Sequence, residues 1–356
     1  LGDSLRTWDL EGDAPSRSLT GLSGRCRSIL WHPSGRSFFT AGTSGDVQEW
    51  GPGFGGGHVV AHAHESDVAA AAFSRDGTRV VTGGRDATIQ VRSATTLGLE
   101  RVMLGHRFEL SGVAFHAQDR RVIGCDYGGE MLSFDVDTSR ERWRVTVGGI
   151  LTEPVVYRVA EQERVAVASR AGRLEVRDAD SGELLAEAEL EGTSLTALAV
   201  FDELFVAGTE TGELVFFDGT TLVPKRTVRV HDRAVLGITR GARMREVVSS
   251  GLDGFVGFVG VDDGRVRART QTGGTGRSID TDGLEAVAVS PDGARIAVAS
   301  RGSVVRLLDA ADGERLLDLV GHERWGRSVR FSPDGSKLLS TDSTASVMVW
   351  DAVDGL

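Results

Sequence analysis

Apolar and polar residues alternate through this chain in runs of five or six, each cut by a turn-forming cluster. The stretch from Val320 to Asp351 shows the unit whole: an alternating run reaches Phe331, Ser332-Pro333-Asp334-Gly335 interrupts it, a second apolar run follows, and a third ends in Trp350-Asp351. Alternation puts every second side chain on one face of a strand. Proline presets φ and glycine accepts a positive φ, so Pro-Asp-Gly between two such runs is a tight turn. The pattern predicts three antiparallel strands joined by short turns.

The unit recurs. Equivalents of Trp350 stand at Trp8, Trp50, Arg92, Phe134, Arg177, Phe217, Val259 and Leu308, and the successive steps along the chain are 42, 42, 42, 43, 40, 42, 49 and 42 residues. A second marker keeps the same period: Gly35 and Gly77 close turns 42 residues apart, as do Gly293 and Gly335. A period of about 40 to 45 residues with four short strands per unit is the signature of a β-propeller.

With Gly321-His322 at one end and Trp350-Asp351 at the other, the unit resembles the WD40 repeat. From about residue 128 to 187 the text changes, and GGEMLSFDVDTSRERW and GRLEVRDADSGELLAE resemble the quinoprotein-type propeller repeat. The resemblance implies an all-β WD40-type propeller of four-stranded antiparallel blades across residues 1–356. The expected ring has eight blades, closed by an outer strand at 16–20 pairing with the C-terminal strands; the strand at 4–8, within residues 1–15, is then a surplus part-blade. In the alternative, a strand near His58 to Ala63 closes seven blades. Either count leaves part of a blade over, and the expectation is a segment of a larger multidomain protein.

In a typical WD40 blade a His, a Ser or Thr, an Asp and the Trp form a buried hydrogen-bonded set. The residues matching it here are His64, Thr82 and Asp86, then His231, Ser249 and Asp253, then His322, Ser340 and Trp350, with Thr344 where Asp would stand. The resemblance gives these residues a blade-stiffening role.

The net charge of −11 and pI near 5.3 argue against nonspecific attraction to nucleic acid or anionic lipid. No run approaches the roughly 18 apolar residues of a membrane span, and no charged start with an apolar signal segment is visible. Cys26 and Cys125 lack metal-ligand spacing, which fits a reducing compartment and no disulfide. The expectation is a cytoplasmic chain. His58, His62 and His64 share one strand face, but His64 is used by the repeat and no set of metal ligands is completed. The Gly-rich insertion at 271–283 lacks GxxxxGK[ST] and reads as a top-face loop. No catalytic motif is present, no cofactor is implied, and the expected class is not an enzyme.

One set of top-face positions lies seven residues before each marker: Thr43, Arg85, Tyr127, Arg170, Glu210, Leu252, Arg301 and Ser343. A second lies at the start of the innermost strands, where Arg324, Trp325 and Arg327 stand in the last unit and Arg25 and Arg27 in the first. Ring closure would gather Arg301, Arg324, Trp325, Arg327, Arg25, Arg27 and Arg85 into an arc. Arginine and tryptophan are enriched at binding hot spots. The expectation is a groove for an acidic or phosphorylated peptide, on a protein-interaction scaffold or sensor that regulates an attached upstream signalling domain. The alternatives are a quinoprotein-like enzyme or assembly scaffold, and a nucleic-acid-binding module, for which Trp325 is the single good stacking candidate.

Overall fold

The structure is a computed structural model, and it describes the chain except residues 1–3, 9–14, 21–25, 52–56, 63, 67, 202–203, 242, 244, 273–282, 303, 321, 323–324, 333, 336, 343–346 and 352–356. Every regular element among the described residues is a strand.

Strands β1 (Ser4–Trp8) and β2 (Pro15–Thr20) come first. Blade I is β3 (Cys26–Trp31), β4 (Phe38–Gly42), β5 (Asp46–Trp50) and β6 (Gly57–His62). Blade II is β7 (Val68–Phe73), β8 (Arg79–Gly84), β9 (Ile89–Ser93) and β10 (Leu99–Met103); blade III is β11 (Leu110–His116), β12 (Arg121–Asp126), β13 (Glu130–Asp135) and β14 (Glu141–Thr146). Blade IV is β15 (Val155–Val159), β16 (Gln162–Ala168), β17 (Arg173–Asp178) and β18 (Leu184–Glu189); blade V is β19 (Leu195–Phe201), β20 (Leu204–Thr209), β21 (Glu213–Asp218) and β22 (Pro224–Arg229). Blade VI is β23 (Val235–Arg240), β24 (Glu246–Gly251), β25 (Phe255–Gly260) and β26 (Val266–Gln271); blade VII is β27 (Leu284–Val289), β28 (Arg295–Ser300), β29 (Val304–Asp309) and β30 (Arg315–Val320). The chain ends through β31 (Gly326–Phe331), β32 (Lys337–Asp342) and β33 (Val347–Asp351).

The expectation of eight four-stranded blades is corrected here. The propeller has seven four-stranded antiparallel blades, and a five-stranded mixed sheet of order β2-β1-β33-β32-β31 joins blade VII to blade I. The strand at 16–20 does not pair with the C-terminal strands. Instead β1, the expected surplus, lies parallel to β33 with Leu5 opposite Val347 and Trp8 opposite Trp350. Strand β6 stays with β5 in blade I. The physical reason is local: β1 and β2 form an antiparallel hairpin, which closes with little loop entropy. That hairpin meets β33 through its β1 edge and leaves β2 at the rim of the sheet.

The first strand of each blade is innermost, as is β31 in the closing sheet, and these strands follow one another around the ring. Crowding at the centre selects small residues, as in VAAAAF of β7. The second strands are buried almost throughout, FFTAG in β4 and EVVSSG in β24 being examples. The core therefore lies between blades. Phe39 and Val47 of blade I pack with Val68 and Val80 of blade II, and the pattern continues to Leu307 and Leu319 of blade VII against Val329, Leu338 and Trp350.

Glycines at the first turn of the unit take the positive φ that the sequence pattern demands, +69° at Gly35 and +74° at Gly335. Blade III meets the same turn differently. Ala117, Gln118 and Asp119 are consecutively left-handed, at φ of 52°, 56° and 66°, a conformation unfavourable for residues with a Cβ. Bonds to both neighbours hold it. The Asp119 carboxylate accepts the N–H of Arg75 (2.9 Å) and of Asp76 (3.3 Å) in blade II, and the Ala117 N–H donates to Glu163 of blade IV.

Candidate functional site

The turns between second and third strands share a face with the connections between blades, because backbone bonds tie them together. The N–H of Tyr127 donates to Glu109 O (3.0 Å), of Glu210 to Ser194 O (2.9 Å), of Leu252 to Ala234 O (2.9 Å) and of Arg301 to Gly283 O (2.8 Å). Side chains at these positions therefore project from fixed backbone.

Of the seven residues expected in one arc, the structure brings two together. The Arg301 guanidinium lies 5.2 Å from the centre of the Trp325 ring, within cation–π range. Its Nε also donates to Glu285 at 2.6 Å, so the stack is braced from both sides. Trp325 remains 39% exposed. Arg85 stands apart on blade II, paired with Glu109 at 3.3 Å. Arg27 is exposed and lines the central channel. Arg25 and Arg324 lie outside the described residues, as do Ser343 and Thr344, the side chains of Arg327, His58 and His62, and most of the 271–283 insertion.

Sequence reading missed Phe108, which is 54% exposed, as Tyr127 is at 47%. Its ring occupies the space that a Cβ on Gly128 would need, 2.1 Å away. The available signal was a large aromatic in the linker after Gly105-His106, comparable to Trp325 after Gly321-His322.

Under this face sit the histidine sets. His64 Nε2 lies 2.8 Å from Thr82 Oγ1, and its Nδ1 lies 3.1 Å from the Asp86 carboxylate. His231 repeats this with Ser249 and Asp253, both at 2.9 Å. In the closing sheet Ser340 Oγ is 2.7 Å from His322 Nε2 and accepts the Trp350 Nε1–H at 2.8 Å. Burial raises the Asp253 pKa, but the His231 ring, the Asp232 N–H and Arg269 outweigh it and hold the carboxyl well below the usual range. His106 was not singled out from the sequence: its Nδ1 meets Asp126 at 2.8 Å, while Gly124 stands where Thr82 and Ser249 stand in their blades. Its buried Nε2 consequently has no hydrogen-bond partner.

His64 and His231 also join two blades each. The His64 N–H donates to Gly45 O of blade I and the His231 N–H to Gly212 O of blade V, both at 2.9 Å, while the imidazoles reach into blades II and VI. Where Trp is replaced at the marker, arginine takes a different task. Arg92 donates to Gln90 and to Leu97 O (2.8 Å), and Arg177 to Glu175 and to Gly182 O (2.8 Å), so each closes the outer turn of its blade.

The central channel encloses about 630 Å³ and is lined by the innermost strands. On seven of these strands the register slips at one residue: Arg27, Ala69, Ser111, Thr196, Leu236, Glu285 and Arg327 are the bulge positions. Such bulges re-aim a side chain, and four of these residues line the channel. Blade IV pairs without a bulge and places Glu153 and Pro154 there instead. Among the described residues no group of three or more His, Cys, Asp or Glu is placed to hold a metal ion, and no helix is long and apolar enough to cross a membrane. Both cysteines are buried and outside any disulfide, and burial pushes the Cys125 thiol far up.

The repeated four-stranded geometry agrees with what known proteins show. The family profile described as "Outer membrane protein assembly factor BamB" (PQQ_2) matches residues 127–356. The chain belongs to this family of propeller repeats. A second profile, "WD domain, G-beta repeat", matches residues 57–93, so WD40 and quinoprotein-like repeats coexist in one propeller. Human echinoderm microtubule-associated protein-like 3 is 22% identical over 92% of this chain and 33% of its own length. U3 small nucleolar RNA-associated protein 21 of Saccharomyces cerevisiae is 24% identical over 42% of this chain and 15% of its own. The chain thus spans about a third or less of the curated relatives named here. Among solved structures, the computationally designed Ika8 protein aligns with a TM-score of 0.79 at 19% identity, over 94% of this chain and 98% of that one. The C-terminal WD40 domain of Sif2 aligns at 0.75 and 15%, over 90% and 94%. These two likenesses establish the fold.

Proposed function

We propose that this propeller is a non-catalytic protein-interaction module whose top face recognises a segment of a protein partner through Trp325 and Arg301. The observation that carries the reading is the braced stack: an exposed tryptophan held against a guanidinium that is anchored on Glu285, on a backbone whose Arg301 N–H is bonded to Gly283 O. A rigid aromatic beside a planar donor loses little freedom on binding. The guanidinium favours an acidic or phosphorylated segment. Similarity to WD-repeat proteins supports the class of role. In this reading the module is cytoplasmic and serves a signalling domain of a longer polypeptide.

The test is a binding screen of immobilised acidic, phosphorylated and neutral peptides against the wild-type chain and Trp325→Ala. Acidic or phosphorylated peptides should be retained, and the substitution should weaken them at least about tenfold, since aromatic hot spots contribute roughly 2 kcal/mol or more. Equal retention by both proteins removes the top face from the reading.

The profile over residues 127–356 favours a second version, a scaffold acting in protein assembly. Binding that survives Trp325→Ala and depends on the outer strands would support it.

A further inference from the structure

We propose that the central channel seats a small zwitterionic ligand of the class of a short free peptide, with its carboxylate on one wall and its ammonium on the other. This site is separate from the top-face stack and does not depend on it.

The channel wall is electrostatically two-sided. Arg27 of β3 and Arg330 of β31 come from adjacent inner strands, and both line the cavity. Glu153, just before β15, lines the same cavity. Around the ring, the closing sheet and blade IV are separated by three blades on either side, so Arg330 and Glu153 belong to opposite walls. Both side chains are exposed to solvent, and neither makes an ion pair among the described residues; Arg330 donates only to the neighbouring Val329 O at 2.9 Å. The other carboxylate of the lining, Glu285, is already held by Arg301 at 2.6 Å. One cationic wall and one anionic wall remain.

Size and polarity agree with a short peptide. A tripeptide spans at most about 10 Å when extended, and about 630 Å³ leaves room for it with water. Its backbone amides also need partners. The open backbone of the wall at Thr196 and Gly237 is where they would meet polar groups, and Gly237 itself lets Ser250 pack close behind it: a Cβ there would lie 2.7 Å from the Ser250 hydroxyl. That hydroxyl is buried with no hydrogen-bond partner. A simple anion would leave Glu153 repelled, and a simple cation would leave Arg330 so. A ligand carrying both charges satisfies both walls.

The test is titration calorimetry at low salt with triglycine, its N-acetyl form and its C-terminal amide, against the wild type, Arg330→Gln and Glu153→Gln. Both substituted side chains are exposed, and thermal melts check that folding is unchanged. Triglycine should bind the wild type. Amidation or Arg330→Gln should each weaken it about tenfold, and so should acetylation or Glu153→Gln, since a charge-assisted hydrogen bond contributes about that much. The two blocks should not add to the substitution on their own wall. Absence of binding at millimolar triglycine overturns the proposal. So does equal binding of the blocked peptides, or binding of phosphate as strong as that of triglycine with no effect of Glu153→Gln.

Discussion

A single imidazole shows how burial sets chemistry in this protein. His116 is buried, with Nε2 3.0 Å from Ser133 Oγ. Burial, with Arg121 nearby, lowers its pKa from 6.5 to about 4, against the smaller opposing pull of Glu163 and Asp178. The folded protein thus binds this proton less readily than the unfolded chain does. Its contribution is complete above pH 6.5 and is lost as the pH falls from 6.5 toward about 4. The unfolding free energy of the wild type, measured in urea, should drop across that window by on the order of 3 kcal/mol from this group. His116→Gln should flatten the drop; an unchanged slope would assign the acid sensitivity elsewhere. None of this was legible in the sequence, where His116 is one of the chain's eight histidines and lies outside the Gly-His positions that mark the repeat. What reveals it is the burial of the ring beside Ser133 of β13, a fact of packing.

At the scale of elements, the repeat was legible because each unit writes its own turns. The Ser-Pro-Asp-Gly signals fell where Gly293 and Gly335 turn the chain at φ of +74°. Interblade contacts were not written this way, and the turn glycines make them. At Gly212, with φ of +95°, a Cβ would lie 2.2 Å from His231 O. Gly192 has φ of +71° and nothing within 4 Å of a Cβ. Both substitutions to alanine bear the conformational cost of about 1 kcal/mol or more. Gly212→Ala should cost about 1–3 kcal/mol beyond Gly192→Ala in chemical unfolding, because His231 must move. Equal losses would mean that the junction yields freely. The bulge ring was invisible for a related reason: Arg27 and Glu285 look like ordinary strand residues until their partners' register is known. The candidate site was accordingly half-read. Trp325 and Arg301 follow from the repeat, whereas Arg330, Glu153 and Phe108 follow from pairing and exposure.

For the whole molecule, closure is the step that the repeat could not dictate. Two N-terminal strands were each able to complete the last sheet, and a periodic pattern does not rank them. The two strands enter together as a hairpin, β1 against β33 and β2 at the rim. Removing residues 1–20 leaves β33 with a bare edge, a template for association. The truncated chain should melt lower than the full chain and self-associate in sedimentation; an unchanged melt would show that the sheet closes without β1. The same seam has a consequence for synthesis. Residues 4–20 leave the ribosome before their partner strand, and at about 5–20 residues per second the wait is on the order of tens of seconds. The hairpin is thus made well before the strand it pairs with, and through that interval its ready-made edge is open to whatever the cell offers it.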